Sequence, residues 1–166
     1  MDRLSKEILK ELLPAEKDVL APAAVERIGR QNLADHWSAA ILLERAAYLG
    51  KLAKHGDGSA SETLKEYPRH CAMLLFRGRD GGAEIHENFA DLFFVLEGRA
   101  TLVTGGTVAG AHSIAPGETR GSSVEGGARQ PLRAGDVAHV PAGVPHQMLV
   151  QGEMTVTCLV MKIQES

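Results

Sequence analysis

The segment GDVAHVPAGVPHQ, Gly135 to Gln147, sets a Gly-Asp turn, a short apolar run and a Pro-x-Gly corner ahead of a histidine. His146 is therefore either a residue that caps a returning strand or an imidazole held at the mouth of a barrel, where it could bind a metal. A second polar group lies upstream in AEIHENFAD, where Glu84 and His86 are two apart and Asp91 stands five residues after His86. Residues two apart on a strand share a face, so Glu84 and His86 point the same way, with Asp91 following a turn or bulge. Two separated segments of this kind can bring their polar groups to one place.

Other chemistries lack their signatures. The chain has no phosphate-cradling P-loop, no Gly-x-Ser-x-Gly nucleophile elbow and no His-Glu-x-x-His pair. A formal net charge of -3 supplies no basic field for a phosphate backbone, and one Trp, two Tyr and four Phe give little for base stacking. Nucleic acid is not an expected partner. The most apolar window, Ala39 to Ala53, contains Glu44, Arg45 and Lys51 and is too short to span a bilayer, so no membrane association is expected. The charged N-terminus has no apolar h-region of a signal peptide, which makes the cytoplasm the expected compartment. Cys71 and Cys158 are far apart and outside any Cys-x-x-Cys spacing, and they read as buried free thiols.

The polar groups must be positioned by strands, and the strands begin after a helical first third. Leu4–Leu13 places Leu4, Ile8, Leu9 and Leu12 on one helical face and stops at Pro14. A short helix is expected over Ala23–Gly29. The longest runs from Ala34 to about Lys54, with Asp35 as its cap and Gly56 and Gly58 at its end. Its apolar face of Trp37, Ile41, Leu42, Tyr48, Leu49 and Leu52 predicts packing over the open end of the barrel or against a second subunit. From Tyr67-Pro68 the texture changes to short β-type runs at Cys71–Phe76, Leu92–Leu96, Ala100–Thr104, Val137–Val140, His146–Val150 and Met154–Ile163. Many short strands cut by Gly and Pro turns predict a sandwich or barrel. The Gly-rich segment from Gly105 to Gln130 is too long for a hairpin turn and reads as a lid or flexible loop.

Two spaced patterns resemble a known family. Gly135-x5-Pro141-x-Gly143-x2-His146 is similar to the second motif of the cupin superfamily, although the usual asparagine four residues after the histidine is Val150 here. Gly78-x5-Glu84-x-His86-x4-Asp91-x6-Gly98 keeps every spacing of the first cupin motif, with Glu84 for the first histidine and Asp91 for the glutamate. The resemblance covers about Arg69 to Ile163. It implies an all-β fold, the double-stranded β-helix or jelly-roll barrel, over residues 67–166, preceded by a helical arm over 1–66. A homodimer is also what the resemblance implies.

The same resemblance implies four metal ligands: Glu84, His86, Asp91 and His146. Two imidazoles and two carboxylates suit Fe, Mn, Zn or Ni better than a thiophilic ion, and with one carboxylate turned away they form a facial triad with open positions. Glu84 has a second expected role, as a general base whose pKa is raised by burial near Asp91. Asp91 is one methylene shorter than the family's glutamate and could equally close the turn before Leu92. The function implied is a metal-dependent enzyme acting on a small polar molecule, by oxygenase, isomerase or lyase chemistry. The alternative is a metal-free cupin that binds or senses a small molecule.

The remaining polar residues have simpler readings. His139 and His112 read as a strand residue and a loop residue, and His36, His55 and His70 show no ligand spacing. Arg77, Arg79 and Arg99 flank the first motif and could attract an acidic substrate, though arginines near strand ends are more often solvated. Glu118 and Arg120 fall in the presumed lid.

Overall fold

The computed structural model describes residues 34–165, so the helices expected at Leu4–Leu13 and Ala23–Gly29 lie outside the described residues. The first described element, α1, is Ala39–Lys54. It begins later than expected because Ser38, not Asp35, adopts the extended capping conformation and accepts a hydrogen bond from the Ile41 N–H at 3.3 Å. It ends where expected, with the Gly56 and Gly58 N–H groups both donating to Ala53 O.

Twelve strands follow: β1 Ser59–Tyr67, β2 His70–Arg77, β3 Ala83–His86, β4 Phe89–Thr104, β5 Thr107–Ala109, β6 His112–Ala115, β7 Glu118–Gly121, β8 Ser123–Glu125, β9 Ala128–Arg133, β10 Val137–Val140, β11 His146–Leu149 and β12 Val156–Gln164. The long β4 belongs to both faces of the barrel. Its first part pairs with β12 and β10, continuing one face outward through β2 to β1. Its second part pairs with β9 and β11, and the other face continues through β3 and β7 to β6. The strand turns from one face to the other near Gly98, which has φ +79° and where the β12 register shifts nearby. A side chain at Gly98 would run into the Thr155 carbonyl. Between the faces lies an apolar core that includes Phe93, Val95, Leu102, Met148, Cys158 and Val160.

Alternation along the strands assigns the two sides of the first face. Leu74, Phe76 and Leu159 point outward and receive α1, whose buried residues Leu42, Ala46, Leu49 and Ala53 recur at helical spacing. Each buried leucine stabilises this contact by about 1.5–3 kcal/mol. Arg45 adds a two-pronged ion pair to Glu62 of β1, both contacts at 2.6 Å. The helix thus covers the outside of the sheet and not the open end of the barrel. Ile41 and Leu52, expected on its buried face, are 48% and 38% exposed.

Two further expectations are corrected. The strands expected to begin after Tyr67 begin earlier: Ser59–Tyr67 is already a strand, because Ala60, Glu62 and Leu64 alternate toward α1. The segment Gly105–Gln130 is not a loop. It forms β5 to β8 and the start of β9, strands of only a few residues whose turns are made by glycines such as Gly117, at φ +76°. Runs that short show no periodicity, and their dense glycines read as loop chemistry.

Candidate metal centre

Strand pairing brings the polar residues together. On β3, Glu84 lies opposite His146 of β11 on one side and Arg120 of β7 on the other, while His86 lies opposite Glu118. Asp91 enters from β4, where it is registered with Lys162 of β12 and Val140 of β10. His86, Asp91 and His146 are buried, and Glu84 is half-buried. The ligand atoms of Glu84, His86 and His146 all lie within 4.8 Å of one another. Asp91 Oδ2 is 3.4 Å from the Nε2 atoms of both histidines, and Glu84 Oε2 is 3.2 Å from His86 Nε2.

Each imidazole is oriented through its other nitrogen. His86 Nδ1 is 2.6 Å from Glu118 Oε2, and His146 Nδ1 is 3.1 Å from Val144 O. Each contact anchors Nδ1 and leaves Nε2 directed into the cluster. Phe93 meets the His146 ring edge-on at 6.4 Å between centroids and helps hold it. Despite its close carboxylates, His86 Nε2 is buried and makes no hydrogen bond. Ligands about 2.1 Å from a shared ion lie roughly 3–3.4 Å apart, which is the spacing found here. A buried ring nitrogen amid oxygen donors at that spacing fits a divalent transition ion.

The electrostatics follow from this crowding. Burial opposes the charged form of His86, but the Asp91 and Glu84 carboxylates outweigh it and push the ring up to about 9 without an ion. Burial also opposes ionisation of Asp91, yet the two imidazoles and Lys162 hold its carboxyl far below the usual range. Lys162 Nζ donates to Asp91 Oδ1 at 2.8 Å and leaves Oδ2 facing the histidines. Glu84 departs from expectation. Burial pushes its carboxyl up, but His86, Arg120 and His146 pull it below the ordinary value. It is a weaker base than expected.

A cavity of about 240 Å³ opens beside the cluster, lined by Glu84, Asp91 and His146 and by apolar side chains including Leu75, Phe93 and Met148. Its wall alternates with the outer face covered by α1.

The barrel is similar to that of solved structures. An uncharacterized conserved protein with a double-stranded β-helix domain from Klebsiella pneumoniae matches with a TM-score of 0.53 and 15% identity, over 80% of this chain and 91% of that one. The chain has the cupin fold. TT1209 from Thermus thermophilus matches with a TM-score of 0.52 and 19% identity, over 82% of this chain and all of that one (100%). The cupin domain of Schizosaccharomyces pombe Cnp3 matches with a TM-score of 0.48 and 14% identity, over 64% of this chain and 65% of that one. The sequence matches no protein-family model and no curated protein.

Within this cupin barrel the structure brings all four sequence-predicted residues to one cluster, Asp91 through its Oδ2 edge. The remaining histidines stay apart from it: His139 lies 3.9 Å from Glu165, and His112 bonds to Gly110 O. Sequence reasoning missed the supporting residues. Glu118 and Arg120 were hidden by the lid reading, although their two-residue spacing mirrors that of Glu84 and His86. Arg120 bridges both carboxylates, at 3.2 Å from Glu118 and 3.6 Å from Glu84. Lys162 interrupts the apolar run VTCLVMKI, and a charge inside such a strand signals a buried partner.

Proposed function

We propose that this cupin is a metal-dependent enzyme acting on a small polar molecule, with His86, His146 and Glu84 holding a divalent transition ion and Asp91 as a fourth donor. The observation that carries the reading is the buried Nε2 of His86, within 3.2–3.4 Å of two carboxylates and set by the Glu118 contact at Nδ1. A bound ion supplies Lewis-acid polarisation of a coordinated oxygen. The lowered carboxyl of Glu84 suits a ligand better than a base. Lys162 keeps Asp91 ionised and fixed. At about 240 Å³ the cavity is below the roughly 300–1,000 Å³ of drug-sized pockets, which supports a small substrate.

A metal-free binding module would suit carboxylates turned to solvent. Asp91, only 4% exposed, is not. The test is elemental mass spectrometry of purified wild type and of a His86→Ala, His146→Ala double variant. The reading expects near-stoichiometric Fe, Mn, Ni or Zn in the wild type and loss in the variant. A wild type that stays free of metal after incubation with these ions would leave the metal-free binding reading.

A further inference from the structure

We infer that Arg77 is an anchor for a carboxylate group, so that the small molecule entering this cavity is an organic acid. The inference deepens the proposed function and rests on that reading for the role of the ion, but the anchor itself does not involve the metal ligands.

Arg77 ends β2, where the inward-facing positions read Met73, Leu75, Arg77. It is the one charged side chain in an otherwise apolar stripe, and all three residues line the cavity. Two other cations line the same cavity and both are paired. Lys162 is bonded to Asp91, and Arg120 is shared between Glu118 and Glu84. Among the described residues the Arg77 side chain forms no hydrogen bond or ion pair, and its Nε is buried without a partner. A buried guanidinium nitrogen left unpaired costs free energy unless something else satisfies it, and few native structures tolerate one without a reason. The expectation that arginines near this motif are merely solvated therefore does not hold for the Nε of Arg77, a residue that is half-buried as a whole.

The surroundings make room for the group. Gly81 packs directly on the guanidinium, and a Cβ there would come within 2.8 Å of Arg77 Nη1 and 2.9 Å of its Cζ. Gly81 is itself pinned, its N–H donating to Met148 O at 2.8 Å and its carbonyl accepting from Gln147 Nε2 at 2.7 Å. Ser59 and Ser61 add hydroxyls to the same wall. A planar fork of donors beside hydroxyls in a small cavity of mixed polar and apolar lining matches a carboxylate, which accepts two parallel N–H bonds. The anchored acid would then extend toward Glu84 and His146 in the same cavity, bringing its other oxygen functions to the ion.

The test is calorimetric titration with malonate, and with malonamide as its uncharged isostere, on wild type, Arg77→Met and Arg77→Lys. Each is repeated in the His86→Ala, His146→Ala background, which removes binding through an ion. Metal content and melting temperature of each variant are read alongside. The inference expects saturable malonate binding in the wild type and in the double histidine variant. It expects a loss of about tenfold or more on Arg77→Met, a smaller loss on Arg77→Lys, no comparable malonamide binding and unchanged metal content in the two Arg77 variants. Malonate binding that survives Arg77→Met, equal binding of malonamide, or no saturable malonate binding to folded wild type would each overturn it. A wild type that binds malonate through Arg77 but holds no metal would instead sink the metal reading and leave the anchor standing.

Discussion

His86 and Glu118 face each other across the β3–β7 pair, with the imidazole Nδ1 2.6 Å from the carboxylate Oε2. The contact fixes the orientation of the ring and directs Nε2 at Glu84 and Asp91. Glu118→Ala should therefore weaken metal binding about 10–100-fold with little change in fold, and Glu118→Gln, which keeps an acceptor, should weaken it less. Competition against a chelator of known affinity measures both. Equal affinity in wild type and Glu118→Ala would show that the contact plays no part in orienting the ring.

How much of this centre was legible in the sequence depends on the kind of constraint. The spacings around Glu84, His86, Asp91 and His146 follow from the corners of the barrel, so they survive as motif even where residue types change. Turn chemistry such as Gly135-Asp136 and Pro141-Ala142-Gly143 marks those corners directly. The partners of Glu118 and Lys162 were not legible, even though a charge inside the apolar run marked Lys162, because they arise from register between strands far apart in the chain. Nothing local to GETRG says that it pairs with AEIH. The same holds for β1, whose alternation is half polar and acquires meaning only against α1 and the cavity. Helix α1 was legible at its C-terminal end but not at its start, which Ser38 sets, nor in its buried face, because Ile41 and Leu52 are apolar without being covered.

The raised proton affinity of His86 has a consequence for metal binding. With a value of about 9 in the metal-free protein, the ring is protonated at pH 7 and must lose that proton to coordinate. Calorimetry in buffers of different ionisation enthalpy should find about one proton released per ion at pH 7, with apparent affinity rising up to about pH 9 and then levelling. For the metal-free protein the sign is opposite. The stabilisation from this raised group is present below the ordinary histidine value, about 6.5, and is lost as pH rises through about 9. Affinity independent of pH over this window would contradict the assignment of His86 as ligand.

Lys162 is the cation that compensates a buried carboxylate. Lys162→Met leaves Asp91 ionised among two imidazoles with no ammonium on Oδ1, and should lower stability by about 2 kcal/mol at neutral pH. Adding Asp91→Asn to that variant should recover part of the loss, since the uncompensated charge is gone. Urea denaturation of the single and double variants closes the cycle, and additive losses would mean that the two residues do not interact.

Cys158 lies wholly buried in the barrel core, and burial pushes its thiol up to about 12, although the Arg77 charge pulls the other way. It should be inert to a thiol reagent in the native protein at pH 8, while the half-buried Cys71 reacts. In denaturant both should react. Two fast thiols in the native state would show that the barrel opens far more readily than its packing implies.

The central claim is that His86, His146 and Glu84 share one ion, and anomalous scattering from a metal-loaded crystal tests it most directly. The account predicts a single strong peak bonded to both Nε2 atoms at about 2.0–2.2 Å, with a Glu84 oxygen at a similar distance. A peak at His139, at His112 or elsewhere on the surface, with none between the two Nε2 atoms, would contradict it.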